Sequence, residues 1–161
     1  MMIAKHAKRF DKQDHRLLAV WASDCAEHVL LHFERFYPDD DRPRKAIEAA
    51  RAWVRGDLSM IDARKAAFAS HAAARDAANN AIAQAVARAA GHAAATAHVA
   101  DHARHAAAYA VKAATDTKTT NNATAAESDW QYRHLPKHLR AVVFPQSAHK
   151  NEKHKRIATA R

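Results

Sequence analysis

A chain of 161 residues with 48% hydrophobic and 27% charged side chains has the size and composition of one soluble globular domain, too short for two sizeable cores. Two glycines and four prolines cannot supply the turns of a sandwich or barrel, whereas 43 alanines favour helix, so an all-β fold is excluded. The formal charge of +9 sits mainly at the ends: residues 1–12 carry +3, residues 145–161 carry +4, and the interior has 17 basic against 15 acidic side chains.

No run approaches 18 apolar residues, and the basic N-terminal stretch has no apolar segment behind it. The sequence therefore predicts no membrane span, no signal peptide and a cytoplasmic location. A single cysteine, Cys25, suits a reducing compartment. The basic ends lack aromatic interleaving and any nucleic-acid reading motif, so no specific nucleic-acid partner is expected. There is no Gly-rich phosphate loop, Gly-x-Ser-x-Gly elbow or Cys-x-x-Cys pair, and no cofactor is expected.

In chain order, a basic arm over 1–12 leads into a helix over 14–36, capped by Asp14, with Leu17, Leu18, Trp21, Cys25, His28, Val29, His32 and Phe36 on one stripe. A second helix over 42–55 follows three aspartates, has Pro43 in its first turn and stops at Gly56. Its inner face is Ala46, Ile47, Ala49, Ala50, Trp53 and Val54, with Arg42 on the same side. Ser59 and Asp62 resemble a capping box for a third helix over 60–78, which Asn79-Asn80 ends. An alanine-rich helix over 81–114 has two candidate split points, Gly91 and Asp101, and a polar linker covers 115–122. Helices over 125–134 and 136–144 precede a flexible basic tail over 145–161. The whole predicts a compact, alanine-rich, all-α helical bundle of five or six helices over 13–144, its core supplied mostly by the tryptophans and leucines of the first two helices.

Asp24, His28 and His32 are spaced i, i+4, i+8, which aligns donor groups along one helix face like half of a metal site. His98, His102 and His105, with Tyr109, form a second such stripe, so His28, His32, His98 and His102 are the candidate metal ligands. The alternative is that these histidines fill gaps beside alanines and hydrogen-bond across helices. Asp24 and Arg42 both border apolar faces and are expected to pair with each other. Arg64, Phe68, His71 and Arg75 make a further stripe, either a solvated face or a surface for an anion or partner. Cys25 and His28 stand at i, i+3, but no orienting group accompanies them, so Cys25 reads as a small buried hydrophobe rather than a nucleophile.

Four strings carry a family resemblance: Trp-Ala-Ser-Asp-Cys-Ala-Glu-His-Val-Leu at 21–30, Arg-Pro-Arg-Lys-Ala-Ile-Glu-Ala-Ala-Arg-Ala-Trp at 42–53, His-Ala-Ala-Ala-Arg at 71–75, and Ala-Gly-His-Ala-Ala-Ala-Thr-Ala-His-Val-Ala-Asp-His at 90–102. Together with Leu-Pro-Lys-His-Leu-Arg at 135–140, they resemble the bacterial putative immunity protein family, all-α cytoplasmic proteins assigned to polymorphic toxin systems. The resemblance implies a non-enzymatic protein that binds and neutralises a cognate protein toxin. It singles out Asp24, His28, Arg42, Arg75, His92, His98 and His102 as residues of a partner-binding surface or polar network. The rival reading is a helical-bundle protein that binds a metal or small ligand through clustered histidines.

Overall fold

Asp11, three residues before the expected cap, starts the first helix: its backbone is extended and its carboxylate accepts the Asp14 N–H at 2.7 Å. One of the donors that every helix N-terminus leaves open is thereby satisfied. The computed structural model describes residues 10–117 and 121–145. They form α1 (Lys12–Glu34), α2 (Arg42–Arg55), α3 (Met60–Asp76), α4 (Ala81–Ala95), α5 (His102–Asp116), α6 (Ala123–His134) and α7 (Lys137–Val143). The class is all-α as the composition predicts, but the described residues hold seven helices rather than five or six. Most of both basic ends, and part of the 115–122 linker, lie outside the described residues.

The extra helix comes from a break after Ala95 within the alanine-rich segment. The amides of Ala97 and His98 bond back three residues, to Ala94 and Ala95, which tightens the turn. The Thr96 hydroxyl bonds to the His92 carbonyl at 2.9 Å, and the Thr96 carbonyl accepts from Nε2–H of His15 on α1. A tertiary hydrogen bond thus replaces a helical one at the break. Of the two split points the sequence offers, Asp101 stands at the N-cap of α5, whereas α4 continues through Gly91 without a break. The other punctuation follows the sequence. Asn80 Oδ1 accepts the Ala83 N–H at 3.0 Å, and Ser59 Oγ accepts the Asp62 N–H at 3.1 Å while donating to the Asp62 carboxylate at 2.9 Å. Gly56 closes α2 with φ of 81°, a left-handed conformation that L side chains adopt only with strain.

α4 is the centre of the assembly. It packs against α1, α2, α3 and α5, and nine of its 15 residues are buried, seven of them alanine. Leu18, Trp21, Leu30 and Phe33 of α1 and Ile47 of α2 supply bulk as expected, joined by Leu135, Leu139 and Val143. Around α4, however, the buried surfaces are chiefly methyl groups, so these helices meet by close approach rather than by interlocking of large side chains. Ser70 of α3 ties that contact by donating to the Ala87 carbonyl of α4 at 2.8 Å. Several residues expected on the inner faces fall short of the core, with Leu17 and Val54 half-buried and His28 exposed. Phe36 lies beyond the end of α1 and is 58% exposed, and Trp53 is half-buried with its ring 4.9 Å from that of His15. No helix among the described residues is long and apolar enough to cross a membrane.

Candidate functional site

The half-buried positions of α4 include Gln84, Arg88 and His92, which recur every three or four residues and so share one stripe. His92 sits in that stripe with α3 on one side and α5 on the other. Its ring centroid is 4.9 Å from His71, 5.2 Å from both His102 and His105, and 5.4 Å from Tyr109, whose plane is 9° from parallel. The sequence aligned His102, His105 and Tyr109 on α5 but gave no sign that they meet His71 and His92. Those contacts depend on how the helices pack.

His92 Nδ1 lies 3.0 Å from His102 Nδ1, a hydrogen bond that requires a proton on one nitrogen and a lone pair on the other. Burial, then the neighbouring imidazoles and Arg88, push His92 down to about 3. Burial, followed by Arg88, His102 and Arg75, pushes His71 down to about 4, and burial likewise lowers His102. The His71 Nδ1 atom is buried without a hydrogen-bond partner among the described residues. Its ring occupies the space where a side chain at Gly91 would be: a Cβ there would stand 2.6 Å from His71 Cε1. Gly91 is therefore required by close approach rather than by backbone flexibility.

These histidines make acid the destabilising direction. Their folded pKa values lie below the ordinary 6.5, so below that pH the unfolded chain binds protons the folded chain refuses. The contribution of these histidines is expected to be constant above about pH 7, and stability to fall as pH drops from 6.5 towards 4, read as a falling urea midpoint. A His92→Gln variant should show a shallower fall.

A second polar centre joins α1 to α6, whose only buried residues are Glu127 and Gln131. His28 Nδ1 donates to Glu127 Oε2 at 2.7 Å, and Gln131 Nε2 donates to Glu127 Oε1 at 3.2 Å and to the Ala107 carbonyl at 2.9 Å. Trp21 Nε1 donates to the Gln131 carbonyl at 2.9 Å. Over this network Trp130 is stacked between His28 and His134, with both centroids 4.0 Å away. Sequence reasoning singled out His28 but missed Glu127, Trp130, Gln131 and His134. The i, i+4 pairs Glu127/Gln131 and Trp130/His134 were the available signal, in a helix with too few apolar residues to show a face.

The expected Asp24–Arg42 pair does not form. Asp24 accepts from Arg51 at 2.9 Å, and Arg51 also grips Glu27 at 2.6 and 2.9 Å, holding the Glu27 carboxyl below its usual range. Arg42 instead forks onto Asp40 at 2.9 and 2.7 Å and reaches Asp76 at 2.8 Å. The reason is register. In an antiparallel helix pair the first residue after the turn faces the end of the preceding helix, whereas Asp24 lies about three turns before that end. Because Arg42 is one-third exposed and Asp76 is 69% exposed, Arg42→Met is expected to cost less than about 1 kcal/mol in urea unfolding, not the several that a buried pair would cost.

The seven residues singled out for a partner surface or polar network do not form one site. Asp24 and Arg42 belong to the α1–α2 ion pairs, His28 to the α1–α6 centre, and Arg75, His92 and His102 to the face of α3, α4 and α5. His98 is exposed in the α4–α5 turn, lining a cavity of about 490 Å³ with Phe10, His15, Val99, Arg104 and Val143. The four candidate metal ligands are likewise divided, with His32 beside His28 and half-buried. Among the described residues no group of three or more His, Cys, Asp and Glu side chains is placed to hold a metal ion. Cys25 is fully buried as expected; burial, with Glu127 and Asp24 adding negative charge, pushes its thiol up and away from thiolate chemistry.

No curated protein and no solved structure matches the chain. The family profile described as Imm-5 like putative immunity protein matches residues 8–138, a span that takes in the histidine cluster, the α1–α6 centre and the first two residues of α7. The chain therefore belongs to the Imm-5-like putative immunity protein family.

Proposed function

We propose that this chain is an immunity protein that binds a cognate bacterial toxin in the cytoplasm and neutralises it by occlusion, without turnover. The family match over residues 8–138 carries this reading. The chemistry of the side chains supports it. The lone thiol is buried with its pKa raised, and the imidazoles of the cluster are hydrogen-bonded or stacked with one another rather than poised beside a nucleophile. The rival reading as a metal protein loses its main support, since His28 and His32 do not converge on His98 or His102.

The test is co-expression with a toxin encoded beside the gene. Growth should be rescued, and the purified pair should stay together through gel filtration. Stoichiometric metal on the purified protein, combined with no toxin that it rescues, would overturn the proposal. Cys25→Ala should leave the rescue unchanged, because the thiol serves packing.

A further inference from the structure

The arginines of α2 and those of the α3–α4 face differ in their partners. Those of α2 are spent internally: Arg42, Arg44, Arg51 and Arg55 each bond a carboxylate within 3 Å. Arg64 and Arg75 on α3 and Arg88 on α4 meet no acidic side chain among the described residues. Arg88 is half-buried, and its charge, with that of Arg75, bears on His71. A half-buried guanidinium without a counter-ion costs stability and returns none within the fold. The nearby acids are already engaged: Asp62 with Lys65, Asp76 with Arg42, Asp101 with Arg104 and Asp116 with Lys112.

Apolar and aromatic surface accompanies these charges. Phe68, one helical turn from Arg64 and two from Arg75, is 59% exposed, with the Arg64 guanidinium 5.4 Å from its ring centre. Ile61, one turn further along the same stripe, is 62% exposed, and Tyr109 flanks the cluster on α5. Arginine, tyrosine and phenylalanine beside aliphatic carbon is the composition of the anchoring centre of protein–protein interfaces.

Resting on the immunity reading, we propose that the outer face of α3, α4 and α5, anchored by Arg64, Phe68, Arg75 and Arg88, is the toxin-binding surface and that it receives an acidic, carboxylate-bearing patch of the toxin. Carboxylates complete the hydrogen-bonding capacity of the three guanidiniums, and Ile61 and Phe68 find carbon to cover them. A protein satisfies both needs, whereas a phosphate backbone would leave Ile61 unmatched.

The test compares the toxin encoded beside the gene for binding to the wild-type chain, to an Arg64→Gln/Arg75→Gln/Arg88→Gln triple variant, to Phe68→Ala and to an Arg55→Gln control. None of these five positions is buried, so the variants should fold, which thermal melts followed by circular dichroism check. The expected result is at least a tenfold loss of affinity in the triple variant and in Phe68→Ala, a wild-type affinity that falls as salt rises, and an unaltered Kd for the control. Toxin bound equally by wild type and triple variant would overturn this face while leaving the immunity reading intact. No binding by the wild-type chain would overturn the immunity reading itself, and the proposed face with it. A 20-base-pair DNA duplex is run in parallel: tight binding that the triple variant abolishes would make the face a nucleic-acid surface and overturn the proposal.

Discussion

Replacing Gly91 with alanine is expected to destabilise the protein by up to about 2 kcal/mol, opposite in sign to the usual effect of this substitution inside a helix. Glycine in a helix interior costs roughly 1 kcal/mol relative to alanine, so the propensity change alone favours the variant. Against it stands the new methyl group, which would lie 2.6, 2.8 and 2.9 Å from three atoms of the His71 ring. Overpacking of this kind typically costs 1–3 kcal/mol. The ring cannot simply swing aside, because it packs edge-on against His92 and its Nδ1 atom is buried. The argument becomes decisive in a double-mutant cycle. With His71→Ala as background the obstruction is gone, and Gly91→Ala should stabilise by up to about 1 kcal/mol. Urea unfolding of the four proteins reads the reversal directly; the same sign in both backgrounds would sink the assignment of Gly91 to close approach.

Replacing Gln131 with leucine, a change that nearly conserves volume, is expected to cost about 2–3 kcal/mol. Gln131 is 2% exposed and donates simultaneously to the Ala107 carbonyl and to Glu127, itself 5% exposed. Its loss removes one of the two donors that Glu127 has among the described residues, the other being His28. A hydrogen bond to a charged group is worth more than one between neutral groups, and a buried acceptor left short carries a desolvation penalty that a leucine side chain cannot relieve. The stack of His28, Trp130 and His134 should loosen with it, visible as a change in the tryptophan near-ultraviolet circular dichroism. A loss below about 0.5 kcal/mol, the range of ordinary surface substitutions, would mean that α6 is held by its stacked rings alone.

Sequence reasoning succeeded where a signal lies within one helix and faltered where it depends on how helices meet. The capping of α3 by Ser59, the stop at Gly56, the break at Asn79-Asn80 and the burial of Cys25 are local properties, and each appears as expected. Asp24 and Arg42 were matched by chemistry without regard to register, and register decided otherwise. The split at Asp101 was legible, but the end of α4 at Ala95, ahead of it, coincides with a bond from His15, some eighty residues away, to the Thr96 carbonyl, which no local pattern announces. His71, His92 and His102 come from three different helices, so no spacing rule on one of them could have assembled the cluster. Alanine compounds the difficulty: it signals helix strongly while saying little about which side of the helix faces inward.

That smooth interior has a mechanical side. Large side chains interlock like teeth and fix how far one helix may slide along another; rows of methyl groups offer far less resistance to sliding. Around the alanine faces of α4 and α5 a few specific contacts act as detents against such sliding: Ser70 in the Ala87 carbonyl, His15 in that of Thr96, Gln131 in that of Ala107, and the His71 ring on Gly91. Removing any one of these detents takes away one of the few contacts that oppose an axial slip along those faces.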